Sequence, residues 1–283
     1  MFRKISVLFV WMIICWGIGV LTSNVVAGKA PITPTKEEIK LEILSPLLDE
    51  IELKQKEMRD TTVLVKARNS RGSGTIIDCF ETDTEGVFEY RVLTNSHVTQ
   101  SRFIKLLLGV NFLTGAIREK VIDTGCTVTT FDHLNKTNSQ HDTKVIIENI
   151  PYDISILSFI SDQQFAIARI ATNDMLSQVR VYDEVFTSSC QLGQAPSPTT
   201  GIISFILTGI NSEKEWVIYS HTAQISPGSS GGGLFKRYGD HYYLIGIPFR
   251  VLAYKEQWIA HLAHAISIST VREFIDQSLV SYP

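Results

Sequence analysis

The stretch that decides the fold is Ser226-Pro227-Gly228-Ser229-Ser230-Gly231-Gly232-Gly233-Leu234-Phe235, a serine inside a glycine run that leads into apolar residues. A serine hydroxyl is a weak nucleophile until a neighbouring imidazole accepts its proton, and the oxyanion that then forms needs backbone N–H donors. Gly228 lets the chain take the turn that aims such donors inward, because it has no Cβ. The stretch therefore predicts a nucleophile at Ser230, with the backbone N–H groups of Gly228 and Ser230 as the oxyanion hole.

Two further segments offer the partners that this serine needs. Residues 92–98 run from an apolar strand into His97, and residues 151–157 place Asp153 at the start of an apolar strand. An imidazole that serves as a base needs a buried carboxylate to fix its tautomer and orientation. Each segment alone is a weak signal. Together they predict His97 as the general base and then acid, and Asp153 as the orienting carboxylate.

Residues of the same types remain rivals for two of these roles. Ser226 and Ser229 compete for the role of nucleophile, although the glycine pattern favours the serine that follows them. Asp132 and Asp142 compete with Asp153, but they lie in polar sequence where burial against a histidine is less expected.

The glycine pattern also satisfies the G-x-S-x-G nucleophile elbow of α/β-hydrolases. That elbow needs a helix directly after the serine, and each glycine in a helix costs about 1 kcal/mol relative to alanine. Residues 231–233 are three glycines, and only 53 residues follow Ser230 to supply an acid and a histidine. This alternative is therefore rejected.

Several motifs resemble those of trypsin-like serine proteases of the chymotrypsin fold, and most of all the HtrA/Deg type. They are Arg71-Gly72-Ser73-Gly74-Thr75-Ile76-Ile77-Asp78, Val92-Leu93-Thr94-Asn95-Ser96-His97-Val98, Leu192-Gly193 with Thr199-Thr200-Gly201-Ile202-Ile203-Ser204, Thr222-Ala223-Gln224-Ile225-Ser226-Pro227-Gly228-Ser229-Ser230-Gly231-Gly232, and Ile245-Gly246-Ile247. The resemblance spans residues 62–275. It implies an all-β fold of two antiparallel six-stranded barrels, with His97 and Asp153 in the first, Ser230 in the second and the site between them.

The chain also departs from digestive trypsins. Val98 stands where those enzymes have a cysteine, and Ser229 where they have an aspartate that pairs with a newly cut N-terminus. Activity is therefore expected not to depend on N-terminal cleavage. Because the sequence ends about 50 residues after Ser230, no PDZ domain is expected.

The order of predicted elements divides the chain into segments. Residues 31–60 form a helical extension with helices at Glu37–Leu44 and Leu47–Met58, packed on the main domain or serving self-association. Residues 61–283 form the protease domain, with its barrel boundary at about 165–178. Its predicted strands are Thr62–Ala67, Gly74–Asp78, Tyr90–Thr94, Lys144–Glu148, Ile154–Phe159, Gln178–Val185, Gly201–Leu207, Glu215–Ser220, Tyr242–Ile247 and Ala265–Ile268. Residues 80–89 and 126–143 are predicted loops, and a helix capped by Thr270 is predicted over Thr270–Leu279.

Composition and the N-terminus indicate an exported protein. The 283 residues carry a net charge of −3, which gives no electrostatic basis for nucleic-acid binding. Residues 1–27 have the basic start, apolar core and small-residue exit of a signal peptide, although residues 5–21 could remain as a membrane anchor. The protein is then periplasmic or secreted. Three cysteines would remain: Cys79, Cys126 and Cys190. They could form one disulfide, or all be buried free thiols.

The specificity pocket is assigned by position to Gln224, Ile225, Phe249 and His264. Aliphatic side chains are the default preference, as in HtrA relatives, while Arg250 and His264 could favour an acidic or polar one. We expect a protein or peptide substrate, no cofactor and no metal, and homo-oligomers are compatible with the resemblance. The predicted function is a serine endopeptidase of extracytoplasmic protein processing or quality control; the alternative is a catalytically silent peptide-binding module.

Overall fold

The computed structural model describes residues 48–110, 117–132, 137–211, 214–255 and 257–279. The predicted signal segment and the predicted helix Glu37–Leu44 lie outside these residues. The described chain opens in helix α1, residues 48–54, which continues as a π-helical turn over Gln55–Arg59. Within the described residues, no helix combines the length and the apolar character that crossing a bilayer requires.

Strands dominate the rest of the chain. They are β1 (Thr62–Ala67), β2 (Ser70–Glu81), β3 (Phe88–Thr94), β4 (Phe103–Val110), β5 (Ile117–Asp123), β6 (Cys126–Asp132), β7 (Thr137–Asn149), β8 (Ile154–Ser161), β9 (Arg169–Ile170), β10 (Glu184–Ser189), β11 (Ser197–Asn211), β12 (Lys214–His221), β13 (Gly233–Tyr238), β14 (His241–Tyr254) and β15 (Gln257–Ser267). Three further α-helices are α2 (Ser96–Thr99), α3 (Asn173–Ser177) and α4 (Ile268–Leu279), and 3₁₀ turns lie at Gln100–Arg102 and Gln191–Gly193.

The strands close into two antiparallel six-stranded barrels, as the resemblance implies. The first has the order β1-β2-β3-β8-β7-β6, and β1 pairs with β6 to close it. The second has the order β13-β10-β11-β12-β15-β14, and β13 pairs with β14 to close it. Strand β9 adds to β14 in parallel, and β4 and β5 form a separate two-stranded sheet. Closure removes the free sheet edges that would otherwise invite pairing with other chains.

The extents of several elements differ from the sequence prediction. The predicted loop 126–143 is wrong, because β6 and the start of β7 occupy it and pair from Cys126 with Thr143 to Asp132 with Thr137. The predicted loop 80–89 shrinks to 82–87 between β2 and β3. The predicted strand Gln178–Val185 is largely a turn, held by a bond from the Arg180 N–H to the Asp183 carboxylate.

The barrels are joined through apolar side chains. The interior of the first barrel is lined by β-branched and aromatic residues such as Val65, Val92 and Phe159. Other first-barrel residues, among them Leu93 and Ile154, pack into the larger core of the second barrel. This shared core packs the end of β3 and the start of β8 against the second barrel. The end of β3 leads to His97, and the start of β8 directly follows Asp153.

The helical segments also pack on the second barrel. Met58 is buried in its core, and the Glu57 carboxylate accepts bonds from the Arg169 side chain, the His241 ring and the Tyr242 N–H. Helix α4 starts two residues before the prediction. The expected cap was wrong, because the side chain of Thr270 bonds to the backbone of Val217 instead.

The three cysteines of the described chain are free thiols. Cys126 and Cys190 are buried, and burial raises their pKa to about 11 and about 12 respectively. Cys79 is half-buried, and burial raises its pKa as well. Of the two sequence alternatives, the structure therefore has the free thiols, kept in their unreactive protonated form.

Candidate active site

The first barrel supplies an imidazole and a carboxylate already in contact. Strand β3 ends at Thr94, and the short helix α2 that follows carries His97 with a half-exposed ring. Asp153 stands immediately before β8, beside β3 in the barrel. The Nδ1 atom of His97 lies 2.8 Å from Oδ2 and 3.0 Å from Oδ1 of Asp153. The structure thus brings these two sequence-predicted residues together.

The Asp153 carboxylate is fixed by neighbours that the sequence analysis did not single out. Its Oδ1 accepts bonds from the Ser96 hydroxyl at 3.0 Å and from the His97 N–H at 2.9 Å. The backbone carbonyl oxygen of Asp153 accepts a bond from the buried side-chain amide of Asn95 at 2.9 Å. The sequence signal that could have identified Asn95 and Ser96 is their position, because they are polar residues between an apolar strand and His97. Both are buried in the structure.

The backbone at Asp153 takes an unusual conformation. Its φ is +53°, in the left-handed region where aspartate and asparagine are the tolerated non-glycine residues. The turn is closed by a bond from the Asp153 N–H to the Ile150 carbonyl, and the Asn149 side chain accepts from the Tyr152 N–H. The turn aims the carboxylate back toward α2.

This contact decides which nitrogen of His97 can act as a base. A carboxylate accepts hydrogen bonds, so Nδ1 between the two Asp153 oxygens must carry a proton. In the neutral ring the other nitrogen, Nε2, then keeps its lone pair free. His97 therefore has the tautomer needed to accept a proton from a hydroxyl.

The second barrel presents Ser230 from a tight turn. The Ser229 N–H donates to the Ser226 carbonyl at 2.9 Å, with Pro227 second and Gly228 third in the turn. Gly228 has a φ of +92°, which makes this a type II turn. A Cβ on Gly228 would lie 2.7 Å from the Cys190 carbonyl oxygen, so only glycine fits here.

In this turn, the two N–H groups predicted to bind an oxyanion, those of Gly228 and Ser230, make no hydrogen bond to the described residues. The Pro227 carbonyl accepts from the Leu192 N–H at 2.6 Å. Because the N–H and C=O of a trans peptide point in opposite directions, the Gly228 N–H points away from Leu192. Within the described residues, neither the Gly228 N–H nor the Ser230 N–H donates a hydrogen bond. Both are available to an oxyanion.

The hydroxyls of Ser229 and Ser226 form hydrogen bonds that stabilise this part of the second barrel. Ser229 is fully buried, and its hydroxyl accepts from the Ser189 hydroxyl at 3.0 Å and from the Ser226 N–H at 3.1 Å. The Ser226 hydroxyl donates to the Gln191 side chain at 3.0 Å. These bonds favour Ser230 over its two rivals.

The two halves of the site touch through β2. The Ser73 N–H donates to the Ser230 carbonyl at 2.7 Å, and its hydroxyl donates to the Gly228 carbonyl at 2.6 Å. A Cβ on the preceding residue, Gly72, would lie 3.0 Å from the Ser230 carbonyl and 2.5 Å from a methyl of Val98. Because Gly72 has no side chain, it fits between Val98, the residue next to His97, and the backbone of Ser230. Ser73 is a positioning residue that the sequence analysis quoted within a motif but gave no role.

One bond of the expected relay is missing. The Ser230 hydroxyl donates to the Phe249 carbonyl at 3.4 Å. Among the hydrogen bonds of the described residues, none joins it to the ring of His97. In this structure the Ser230 hydroxyl is therefore directed to Phe249 and not to His97.

A cavity of about 330 Å³ adjoins Ser230. It is lined by Ile225, Ser226, Pro227, Ser230, Phe249, Arg250, Val251 and Ala253. Two of the four predicted pocket residues, Ile225 and Phe249, are in this lining. Gln224 and His264 are not.

His264 lies behind the cavity wall. Its ring is 6.4 Å from the Phe249 ring between centroids, and its Nδ1 bonds to the Ser220 hydroxyl at 3.0 Å. Burial and the nearby Arg250 charge lower its pKa, which favours the neutral ring. The structure thus gives His264 a packing position. Of the rivals to Asp153, Asp142 lies on β7 opposite Thr127 and Asp132 is the last residue of β6. Among the described residues, the carboxylate bonded to the His97 ring is that of Asp153.

A family model for the trypsin-like peptidase domain matches residues 72–247. The chain belongs to the trypsin-like peptidase family. This peptidase domain includes His97, Asp153 and Ser230 within the matched residues. No curated protein matches the sequence. Among solved structures, the crystal structure of Deg5 is similar at 20% identity and a TM-score of 0.56, covering 81% of this chain and 92% of that one. At that identity the similarity shows the shared two-barrel fold.

Proposed function

We propose that this trypsin-like peptidase is a serine endopeptidase that works through an acyl-enzyme. Ser230 Oγ attacks the carbonyl carbon of the scissile peptide bond, and its proton passes to Nε2 of His97. The carbonyl oxygen becomes an oxyanion that accepts from the Gly228 and Ser230 N–H groups. His97 then protonates the amine as the C–N bond breaks, which leaves an ester on Ser230. Water, deprotonated by His97, hydrolyses that ester and restores the hydroxyl.

The observation that carries this proposal is the His97–Asp153 contact. A ring held on one side by both carboxylate oxygens, at 2.8 and 3.0 Å, has its base nitrogen on the other side. The negative charge of the Asp153 carboxylate stabilises the imidazolium that forms on His97 during the reaction.

We further propose that the reaction takes place outside the cytoplasm, in protein processing or quality control. The N-terminal pattern of residues 1–27 supports export. Cleavage of this segment releases the protein, and an uncleaved segment leaves it anchored through residues 5–21. N-terminal sequencing of the protein recovered from its producing cell distinguishes these two forms. A start near residue 28 supports cleavage, and an intact N-terminus supports the anchor.

The decisive experiment is labelling with a fluorophosphonate, which phosphonylates an activated serine. Wild type, Ser230→Ala and Ser229→Ala are compared, with mass spectrometry of the modified peptide. The proposal predicts an adduct on Ser230 in the wild type and no labelling of Ser230→Ala. Ser229→Ala, the matched control, should keep its label at a reduced rate, because its hydroxyl braces the turn.

One observation favours the alternative, a catalytically silent module that binds peptide. It is the Ser230 hydroxyl turned to the Phe249 carbonyl, without a bond to His97 among the described residues. A folded wild type that stays unlabelled but binds unfolded polypeptide would support this second function.

A further inference from the structure

Three cations crowd the hairpin between β1 and β2. Arg68 lies in its two-residue turn, Ala67 and Ser70 flank that turn, and Lys66 and Arg71 form the next opposed pair. All three line a cavity of about 450 Å³, together with Ala67, Asn69, Ser70, Thr124, Gly125 and Thr127. The lining contains no acidic residue. We call Lys66, Arg68 and Arg71 the hairpin cations.

Their arrangement is unfavourable for the protein alone. Lys66 and Arg71 are directly opposite each other in the β1–β2 register, so their side chains share one face of the sheet. Like charges in such a pair destabilise a sheet. Among the described residues no carboxylate forms an ion pair with any hairpin cation. The nearest acidic residue along the β5–β6 connection, Asp123, binds the Arg102 guanidinium and the Gly125 N–H instead. Stability therefore does not account for this cluster.

The cluster is close to the nucleophile. Arg71 precedes Gly72 and Ser73, and the Ser73 N–H bonds to the Ser230 carbonyl. The Arg71 side chain also packs on Gly193, whose Cβ position would be 3.1 Å from the Arg71 Cδ. At roughly 3.3 Å per residue, an extended peptide that crosses Ser230 along β2 reaches Arg71 within about three residues of the scissile bond.

We propose that the hairpin cations bind acidic side chains of the substrate, so that this protein acts on polypeptides with Asp or Glu a few residues from the scissile bond. This rests on the proposed peptidase function. A peptide is the occupant because Arg71, in the cavity lining, is two residues before Ser73, whose N–H bonds to the Ser230 carbonyl. The net charge of −3 disfavours a nucleic acid as the occupant. Arginine suits the role because its planar guanidinium pairs with a carboxylate through two parallel hydrogen bonds.

The test measures binding without catalysis. The Ser230→Ala protein is titrated with a fluorescein-labelled 12-residue peptide that contains four glutamates, and with a twin peptide in which all four are glutamines. The same is done after adding Arg68→Gln and Arg71→Gln. The matched control adds Lys105→Gln and Lys120→Gln, two exposed cations on the separate β4–β5 sheet, and has the same net charge.

The proposal predicts that the glutamate peptide binds about tenfold more tightly than its twin. This preference should fall to about twofold in the hairpin variant and persist in the control. The hairpin variant should also melt at the same or a slightly higher temperature, since a like-charge pair is relieved. Equal binding of the two peptides would overturn the proposal. So would an equal loss in the control, or tighter binding of a single-stranded oligonucleotide than of the glutamate peptide.

Fluorophosphonate labelling of the hairpin variant with Ser230 restored separates the two claims. If the wild type and the hairpin variant label at the same rate, but the Ser230→Ala protein that keeps the hairpin cations binds the two peptides equally, only the acidic-substrate proposal is overturned. Failure of both the wild type and the hairpin variant to label counts against the proposed function, whatever the peptide titrations give.

Discussion

The two barrels contribute to the site in different ways. The first barrel holds the His97–Asp153 pair through bonds to the Asp153 carboxylate, which come from the Ser96 hydroxyl and from both the ring and the backbone of His97. The second barrel holds Ser230 with backbone, through a turn that depends on Gly228 and on carbonyls directed to neighbouring loops. The first half is complete in this structure. In the second half, the Ser230 hydroxyl bonds to the Phe249 carbonyl, and no hydrogen bond among the described residues joins it to His97.

This difference explains which half can change without unfolding the protein. The His97–Asp153 pair lies between β3 and β8, which are neighbours in a closed barrel. The Ser230 hydroxyl has a single bond of 3.4 Å to the Phe249 carbonyl, and breaking it costs little. The Ser230 hydroxyl is therefore the adjustable part of the site, and the His97–Asp153 pair is the fixed part.

Asp153→Asn tests the fixed half and should have the largest effect. Asparagine tolerates the left-handed backbone at this position, so the fold should persist. Its amide cannot hold the His97 tautomer, and kcat should fall about 10⁴-fold. Peptide hydrolysis and thermal melting of the same preparation check this. A variant within tenfold of wild type would show that another group orients His97.

Gly231→Ala tests how closely the halves pack. Gly231 has a φ of +86°, and an added Cβ would lie 2.2 Å from both the Ser73 carbonyl oxygen and the Thr94 hydroxyl. We expect destabilisation of about 3–5 kcal/mol, or a fall in Tm of about 10 °C.

Gly239→Ala is the matched control for this change. Its φ is also positive, at +59°, but an added Cβ would meet nothing within 4 Å. This substitution should lower the free energy of unfolding by only about 1–2 kcal/mol, the cost of the strained backbone. Equal losses in the two variants would mean that strain, and not contact between the barrels, dominates at Gly231.

Gly228→Ala tests the backbone half alone. The added Cβ would approach the Cys190 carbonyl oxygen, and the turn should change type to relieve it. The Gly228 N–H then no longer faces the oxyanion, and the labelling rate should fall about 10²–10³-fold. The low-field NMR signal of the proton between His97 and Asp153 should be retained. Its loss would show that the halves are not independent.

Ser96→Ala tests one support of the carboxylate and should have the smallest effect. It removes a bond to Asp153 and leaves the two from His97. We expect kcat/KM to fall about tenfold. Ser101→Ala, whose hydroxyl is 3.5 Å from the Val98 carbonyl, serves as the control and should stay within twofold of wild type. Equal effects of the two variants would argue against a role for the Ser96 bond.

The sequence predicted the parts of this molecule that carry local signals. The glycine run around Ser230 and the strands beside His97 and Asp153 carry the motifs of the resemblance, and the two-barrel fold that the resemblance implies is confirmed. Strand β6 and the part of β7 before the predicted strand Lys144–Glu148 were missed, because polar residues such as Thr127 and Asp142, which lie opposite each other, make this sequence look like a loop. Their strand conformation comes from pairing across the barrel, which is not visible in local sequence.

Features that depend on tertiary contacts were also beyond prediction. Nothing in the residue order indicates the positive φ of Asp153 or the bonds of Ser73 to the turn around Ser230. Thr270 resembled a helix cap, but its hydroxyl bonds to Val217 of a distant strand. For Ser73 and Thr270, a partner far away in the chain decides the geometry.

The most direct test of the central claim is a crystal structure of the fluorophosphonate adduct. The account predicts a covalent bond to Ser230 Oγ, with that oxygen rotated away from the Phe249 carbonyl and toward His97 Nε2. The phosphoryl oxygen should lie about 2.7–3.1 Å from the Gly228 and Ser230 nitrogens. An adduct on another residue, or a phosphoryl oxygen directed away from both nitrogens, would contradict it.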